Sequence, residues 1–435
     1  MFHKFFNSEE EKKKKEKREK EKEKEKKEEV KRAPAPPLPP LNDNNYNNDN
    51  NDNNIFGPPR VDETKDKIVD KFNTNGIRVD YSSTRIFFEK NTIVTSNNLS
   101  NTKYLIKKEL GKGAFSNVYL AYAKNENETT FDLKKQYVLK TTKCKPLYAK
   151  QAVKEYQYYN KIDNKCKYII YFKDFFSIPN ETSFTTPCLV LEYFHENFYN
   201  YMKNNFKVNF GLDINILLTV TKTMVLGIDF LHQHNIIHCD LKPENIVINN
   251  KNQCKIIDLG SAIKTGFKDQ NCYMQSRYYR SPNCIVSCDI NPRIDYWSVG
   301  CIMYEALTLI PLFFKKNEID IILKQLRFID IPHEKINQFS PITACLYNYL
   351  YKTWRRPIEK MYLFDYLKFV LENKNIKRSS YEEKWLFNNS TGYCSLIYMC
   401  ILDHYNKDKN DYVKQFEIIE AAYKSESKFP SIAAI

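Results

Sequence analysis

No stretch of this 435-residue chain reads as both long enough and sufficiently free of charge to span a bilayer, and the opening Met1-Phe2-His3-Lys4-Phe5-Phe6 lacks the sustained apolar core of a signal peptide. A soluble protein is the expectation. The twelve cysteines carry no paired metal-type spacing. Cys284 and Cys288 come closest, and one isolated pair does not make a zinc site. They read as reduced thiols of an intracellular protein, with nuclear and cytoplasmic addresses equally open. Also missing is any recognition motif that interleaves aromatic and basic residues, so the net charge of +14 is no argument for nucleic-acid binding.

Apolar side chains are nearly absent from residues 7–32, so this segment cannot fold on a core. Residues 1–32 hold 14 Lys/Arg and 10 Glu, a contribution of 14 − 10 = +4. The Glu residues cancel most of the field, and Glu and Lys at three- and four-residue separations favour a solvated helix over a nucleic-acid arm. A proline-rich piece from Ala33 to Pro40 and an Asn/Asp tract from Asn42 to Asn54 read as extended chain. The expected organisation is a low-complexity tail over 1–75, a linker over 76–103, a folded region over 104–425 and a short tail over 426–435. The length from 104 onward is ample to bury a core, and its lysines hint at acidic or phosphorylated partners.

What is there is concentrated in one stretch, Ile236-Ile237-His238-Cys239-Asp240-Leu241-Lys242-Pro243-Glu244-Asn245, followed by Ile256-Ile257-Asp258-Leu259-Gly260. Phosphoryl transfer asks a protein mainly to position an alcohol, a nucleotide and magnesium, and to neutralise developing charge. Asp240 is placed to accept or orient a hydroxyl proton, and Lys242, two residues on, to reach a γ-phosphate. Asn245 and Asp258 offer magnesium the hard oxygens it requires. Ile246-Val247-Ile248 and Cys254-Lys255-Ile256-Ile257 flank Asn249-Asn250-Lys251-Asn252 and predict a hairpin that brings Asn245 and Asp258 to one end. A lone Asp or Asn would simply punctuate a loop; the ordered series argues against that.

Upstream, Leu110-Gly111-Lys112-Gly113-Ala114-Phe115-Ser116-Asn117-Val118 fits a glycine-rich hairpin over ATP phosphates, with Ser116 in place of a third glycine. Alone it would be just a turn. Its weight comes from Tyr137-Val138-Leu139-Lys140, an apolar run ending in a lysine suited to the α- and β-phosphates, and from the helical Lys150–Tyr156, where Glu155 is the candidate to pair with Lys140. Cys188–Phe194 reads as a buried strand leaving toward a connection between lobes. Backbone groups of Glu192 and Phe194 could meet the adenine edge, with Leu191 guarding the inner pocket. Leu110, Val118, Val138, Val247 and Ile257 are placed to enclose the base, and each is equally suited to a core. Leu217, Val220, Met224, Ile228 and Leu231 describe a buried helical stripe, and Asp295 is positioned to brace the catalytic loop.

From Gly111 to Gly300 these motifs resemble a eukaryotic protein kinase of the CMGC group, and most closely the dual-specificity tyrosine-regulated kinase family. His238-Cys239-Asp240, with cysteine where most kinases have arginine, the strand Cys188–Glu192, and Tyr273-Met274-Gln275-Ser276-Arg277-Tyr278-Tyr279-Arg280-Ser281-Pro282 carry the resemblance. It covers about 104 to 425, fading after about 315. It implies an α+β two-lobed fold, with a small antiparallel β N-lobe (about 104–193) holding one key helix and a larger mainly α C-lobe (about 194–425). It further implies ATP and Mg2+ as cofactors, transfer to serine or threonine of protein substrates at sites followed by proline, and autophosphorylation at Tyr273. No membrane or nucleic-acid partner is implied, and a monomer is expected. With Cys239 in place of arginine, Arg277 and Arg280 become the candidates to hold a phosphate on Tyr273. The segment 330–388 is consistent with the late insertion of these kinases.

Leu259 stands where phenylalanine is usual and keeps an apolar inner packing group. Val138 narrows the pocket above adenine. Asn283 occupies the site of a glutamate that normally pairs with a buried arginine, for which Lys409 is the loosely aligned counterpart. If both changed together, no single charge is stranded. These departures leave a pseudokinase or scaffold that binds nucleotide or partners without turnover as the alternative.

Overall fold

The computed structural model describes residues 75–80, 84–98, 101–113, 115–179, 185–207, 211–267, 274–286, 290–326, 328, 367, 393–401 and 411–426. Tyr273, Cys288, Lys409, the low-complexity tail and nearly all of 330–388 lie outside them.

Alternating apolar residues build the first lobe. Strands β1 (Ile77–Asp80) and β2 (Arg85–Phe88) form an antiparallel hairpin with Ile77 opposite Phe88. The next strands are β3 (Ile93–Thr95), β4 (Lys103–Lys112), β5 (Ser116–Lys124), β6 (Gln136–Thr142), β7 (Phe172–Pro179) and β8 (Thr185–Glu192). They form a six-stranded sheet of order β3-β4-β5-β6-β8-β7, antiparallel throughout. Tyr104 and Ile106 on β4, Tyr119 and Ala121 on β5, and Cys188 and Val190 on β8 repeat every second residue and fill a common core with Ile86, Phe88 and Val94. The linker expected over 76–103 is therefore corrected over 77–95. Its strands are three or four residues long and set among Ser, Thr and Asn, which masks the period-2 pattern from a sequence reading.

Helix α1 (Pro146–Ile162) starts with proline in its first turn, where the missing N–H costs nothing, and ends at Asp163 in left-handed conformation. Its buried residues Ala152, Glu155, Tyr159 and Ile162 fall at helical spacing on one face, and among them only Glu155 is charged.

The second lobe begins with β9 (Glu196–Asn197) and α2 (Phe198–Asn205), where Asn197 caps the helix by accepting from Asn200 N. Helix α3 (Ile214–Gln233) is capped by Asp213 and buries Leu217, Val220, Met224, Ile228 and Leu231, the stripe expected from sequence. By length and hydropathy this helix does meet the criteria for a membrane span, contrary to the expectation, but 67% of its apolar window is buried within the protein. Short strands β10 (Ile236–Ile237), β11 (Ile246–Ile248), β12 (Cys254–Ile256) and β13 (Ile263–Lys264) follow, then α4 (Pro282–Val286), α5 (Arg293–Thr308), α6 (Glu318–Leu326), α7 (Tyr393–Ile401) and α8 (Tyr412–Glu426). Helix α5 is buried on every side, and at Gly300 a Cβ would come 2.7 Å from Cys400 Cβ of α7. Only glycine allows that approach.

Candidate active site

The predicted hairpin forms. Ile246 pairs with Ile256, Ile248 with Cys254, and Ile257 N–H donates to Asn245 O at 3.0 Å, so Asn245 and Asp258 emerge at the same end. Asn245 Nδ2 donates to Asp240 O at 2.8 Å and Oδ2 at 3.3 Å, leaving its Oδ1 as the group to offer a cation. Asp258 adopts φ 67°, a left-handed conformation unusual outside glycine.

Opposite it lies the expected pair. Lys140 Nζ on β6 stands 2.9 and 2.8 Å from the two oxygens of Glu155 on α1, and 2.8 Å from Asp258 Oδ1. Burial drives the Lys140 pKa down, and the carboxylates of Asp258 and Glu155 outweigh it, so the ammonium is held charged. Burial likewise pushes Asp258 up, but Lys140 more than offsets this and keeps the carboxylate ionised. Glu155 carries the cost of two carboxylates sharing one ammonium: burial, opposed by Lys140 and reinforced by Asp258, pushes it up to about 7. At Gly260 a Cβ would meet Asp258 Oδ1 at 3.1 Å and Glu155 Oε2 at 3.3 Å, so the glycine lets the cluster close.

The second cluster centres on Asp240. Lys242 Nζ donates to Asp240 Oδ2 at 2.7 Å, and Ser276 Oγ donates to Oδ1 at 2.7 Å and accepts from Lys242 at 3.2 Å. The Lys242 pKa, lowered by burial, is raised overall by Asp240. The loop is held from behind. Asp295, fully buried on α5, accepts from His238 N at 2.8 Å, Cys239 N at 3.0 Å and His232 Nε2 at 2.8 Å. Because a carbonyl can only accept, the 3.1 Å contact of His238 Nε2 with Ile257 O puts the ring proton there. That leaves Nδ1 to accept from Asp240 N at 3.2 Å.

Above these clusters Gly113 N–H donates to Ser116 O at 2.8 Å and closes the turn between β4 and β5. Gly111 faces Val118 across the pair. Leu110 is 38% exposed, Leu191 is buried, and Val138, Phe194, Val247 and Ile257 are partly buried side chains packed on the main core, an apolar lining suited to a flat heterocycle. The Glu192 side chain faces away from such a use, pairing with Lys255 and accepting from Tyr171 N at 2.6 Å, and its backbone N–H donates to Tyr171 O at 3.0 Å.

Three features escaped the sequence reading. Ser276 bridges Asp240 and Lys242. Arg85 on β2 donates to Gly113 O at 2.7 Å, Ser116 O at 3.1 Å and Asn117 Oδ1 at 2.5 Å, clamping the glycine-rich turn from outside. Tyr159 OH accepts from Asp258 N at 3.2 Å. No sequence signal marks Arg85 or Tyr159, and Ser276 stands within the Tyr273–Pro282 run with nothing in its residue type to single it out.

Arg280, a candidate to hold a phosphate on Tyr273, is 1% exposed and donates through Nε to Met274 O at 2.7 Å, through Nη2 to Gln275 O at 2.8 Å, and through Nη1 to Glu318 at 2.7 Å. Arg277 Nη1 donates to Lys316 O at 3.2 Å, while its Nε is buried without a hydrogen-bond partner among the described residues. Cys239, at φ 62°, lies in an apolar cluster with Ile237, Ile263 and Cys284.

A curled antiparallel lobe facing a helical lobe, with the Lys140 and Asp240 clusters in the loops and strands between them, is the fold of a phosphotransferase. The Protein kinase domain family matches residues 104–385, and the chain belongs to the protein kinase family. It is 33% identical over 237 residues to human dual specificity tyrosine-phosphorylation-regulated kinase 4, covering 53% of this chain and 42% of that protein. To homeodomain-interacting protein kinase 1 of Caenorhabditis elegans it is 33% identical over 231 residues, 52% of this chain and 26% of the relative. To serine/threonine-protein kinase prp4 of Schizosaccharomyces pombe it is 33% identical over 213 residues, 48% and 42% respectively. The chain thus spans less than half the length of these relatives.

Proposed function

We propose that the protein transfers the γ-phosphate of ATP to serine or threonine hydroxyls of protein substrates. The observation that carries this reading is the Asp240 carboxylate, held with one oxygen on Lys242 and the other on Ser276. A substrate hydroxyl entering beside it would meet a base and an ammonium in the arrangement phosphoryl transfer needs. In this reading Asp240 orients the hydroxyl and takes its proton, Lys242 meets the transferred phosphate, and Lys140 holds the α- and β-phosphates with its direction fixed by Glu155. Backbone at Gly111, Gly113 and Ser116 cradles the phosphates. Glu192 and Phe194 present backbone to the adenine edge, and Leu110, Val118, Val138, Leu191, Val247 and Ile257 enclose the base.

The donors also fit magnesium, since an ionised carboxylate and an amide oxygen, Asp258 and Asn245, share one end of the hairpin. When bound, magnesium would neutralise phosphate charge. Assembly of both clusters favours turnover over a scaffold role, because Ser116, Leu259 and Asn283 depart from the pattern without displacing any of these groups.

Tyrosine autophosphorylation at Tyr273 forms the second part of the reading, supported by Arg277 Nε, which has no hydrogen-bond partner among the described residues. Substrate sites followed by proline would suit the family. Mass spectrometry of the full chain after incubation with ATP and magnesium tests it: phosphate on Tyr273 that is missing from Asp240→Asn is the expected result, and an unmodified wild type would overturn it.

A further inference from the structure

Asp258 needs help to stay where the metal reading places it. A non-glycine residue seldom holds φ 67°, and the Asp258 N–H is directed at a buried side chain. The group that receives this N–H is the Tyr159 hydroxyl, at 3.2 Å. Tyr159 is 1% exposed, lies one turn beyond Glu155 on the same face of α1, and stacks on Phe172 with ring centroids 6.0 Å apart and planes 8° from parallel. The ring thus rests on Phe172 while its hydroxyl meets the Asp258 N–H. A second bond from α1, Gln151 Nε2 to Gly260 O at 3.1 Å, secures the other end of the same turn. The aromatic ring usual in this family after the aspartate is missing at Leu259, and Tyr159 brings one to the same turn from the helix.

Resting on the function proposed above, we propose that Tyr159 is a positioning residue for the metal-binding aspartate: its hydroxyl holds Asp258 in the left-handed conformation that presents the carboxylate, and thereby sets the magnesium requirement. Tyr159→Phe keeps the ring, the stacking and the ion pairs, and removes only the hydroxyl that accepts from Asp258 N. It strands one buried N–H, so the competent conformation loses population while nucleotide contacts made without metal stay intact.

The test compares wild type and Tyr159→Phe as full chains in two titrations. Magnesium dependence of phosphate transfer at saturating ATP should shift to roughly 5- to 10-fold higher concentration in the variant, the size expected for one lost buried hydrogen bond. Calorimetric binding of ADP in EDTA should be unchanged, which also shows that the variant folds. An unshifted magnesium curve overturns the inference and leaves the kinase reading standing. If wild type transfers no phosphate, that reading fails by itself, and calorimetric binding of a magnesium complex of a non-hydrolysable ATP analogue decides the matter: equal magnesium dependence in the two proteins overturns the role of Tyr159.

Discussion

Cys239 donates its backbone N–H to Asp295 Oδ1 at 3.0 Å while holding φ 62°. The same carboxylate binds His238 N and His232 Nε2, so one buried side chain on α5 fixes the start of the loop that carries Asp240. Asp295→Ala leaves three buried donors without their acceptor, at about 1–3 kcal/mol each before relaxation. Chemical denaturation should show a loss of several kcal/mol, and phosphate transfer should fall with it. A loss below about 1 kcal/mol would remove Asp295 from this role.

Glu155 gives the site a pH signature. Its pKa is raised from 4.5 to about 7, so protonation near neutrality weakens the grip on Lys140. The acid limb of kcat/KM for ATP should therefore lie near pH 7, and be absent from the residual activity of Glu155→Gln. The sign for stability is opposite. Between about 4.5 and 7 the folded protein binds more protons at Glu155 than the unfolded chain, so this residue's contribution declines as pH rises through that window. Denaturation of wild type and Glu155→Gln across pH 5 to 8 should show the difference between them growing in favour of the variant.

Arg85 lies outside the residues matched by the family, yet its guanidinium ties Gly113 O, Ser116 O and Asn117 Oδ1 together. Arg85→Ala should loosen the phosphate-covering turn, raising KM for ATP several-fold with a smaller change in kcat. Steady-state kinetics at varied ATP would show it, and an unchanged KM would confine Arg85 to holding the β1–β2 hairpin.

Leu259 and Tyr159 are both fully buried members of one core cluster. Restoring phenylalanine at Leu259 adds a ring beside Tyr159, and overpacking of this kind costs about 1–3 kcal/mol. Leu259→Phe should lower the melting temperature, and combining it with Tyr159→Leu should recover part of the loss. Additive losses in the double variant would argue that the two positions do not share space.

The chemistry was legible in the sequence where function demands particular groups at short spacing: Asp240, Lys242, Asn245 and Asp258 stand within 19 residues and fold into one hairpin-bounded site. The Lys140–Glu155 pair followed from order along the chain, because a strand and the helix after it pack together. Contacts between distant segments were not legible. Ser276 reaches Asp240 across 36 residues and Arg85 reaches Ser116 across 31, and neither side chain differs in type from many on the surface. The strands over 77–95 were hidden by their brevity, and the inward-turned carbonyls of Met274 and Gln275 that receive Arg280 leave no pattern in the sequence.

The most direct test of the central claim is phosphate transfer from ATP to a generic basic protein in the presence of magnesium, measured for the wild type and Asp240→Asn side by side. Replacing the base while keeping its shape should reduce the rate by at least about a hundredfold, the lower end of what a general base contributes. Transfer by the wild type that disappears with Asp240→Asn is the predicted result; equal labelling by the two proteins would contradict it.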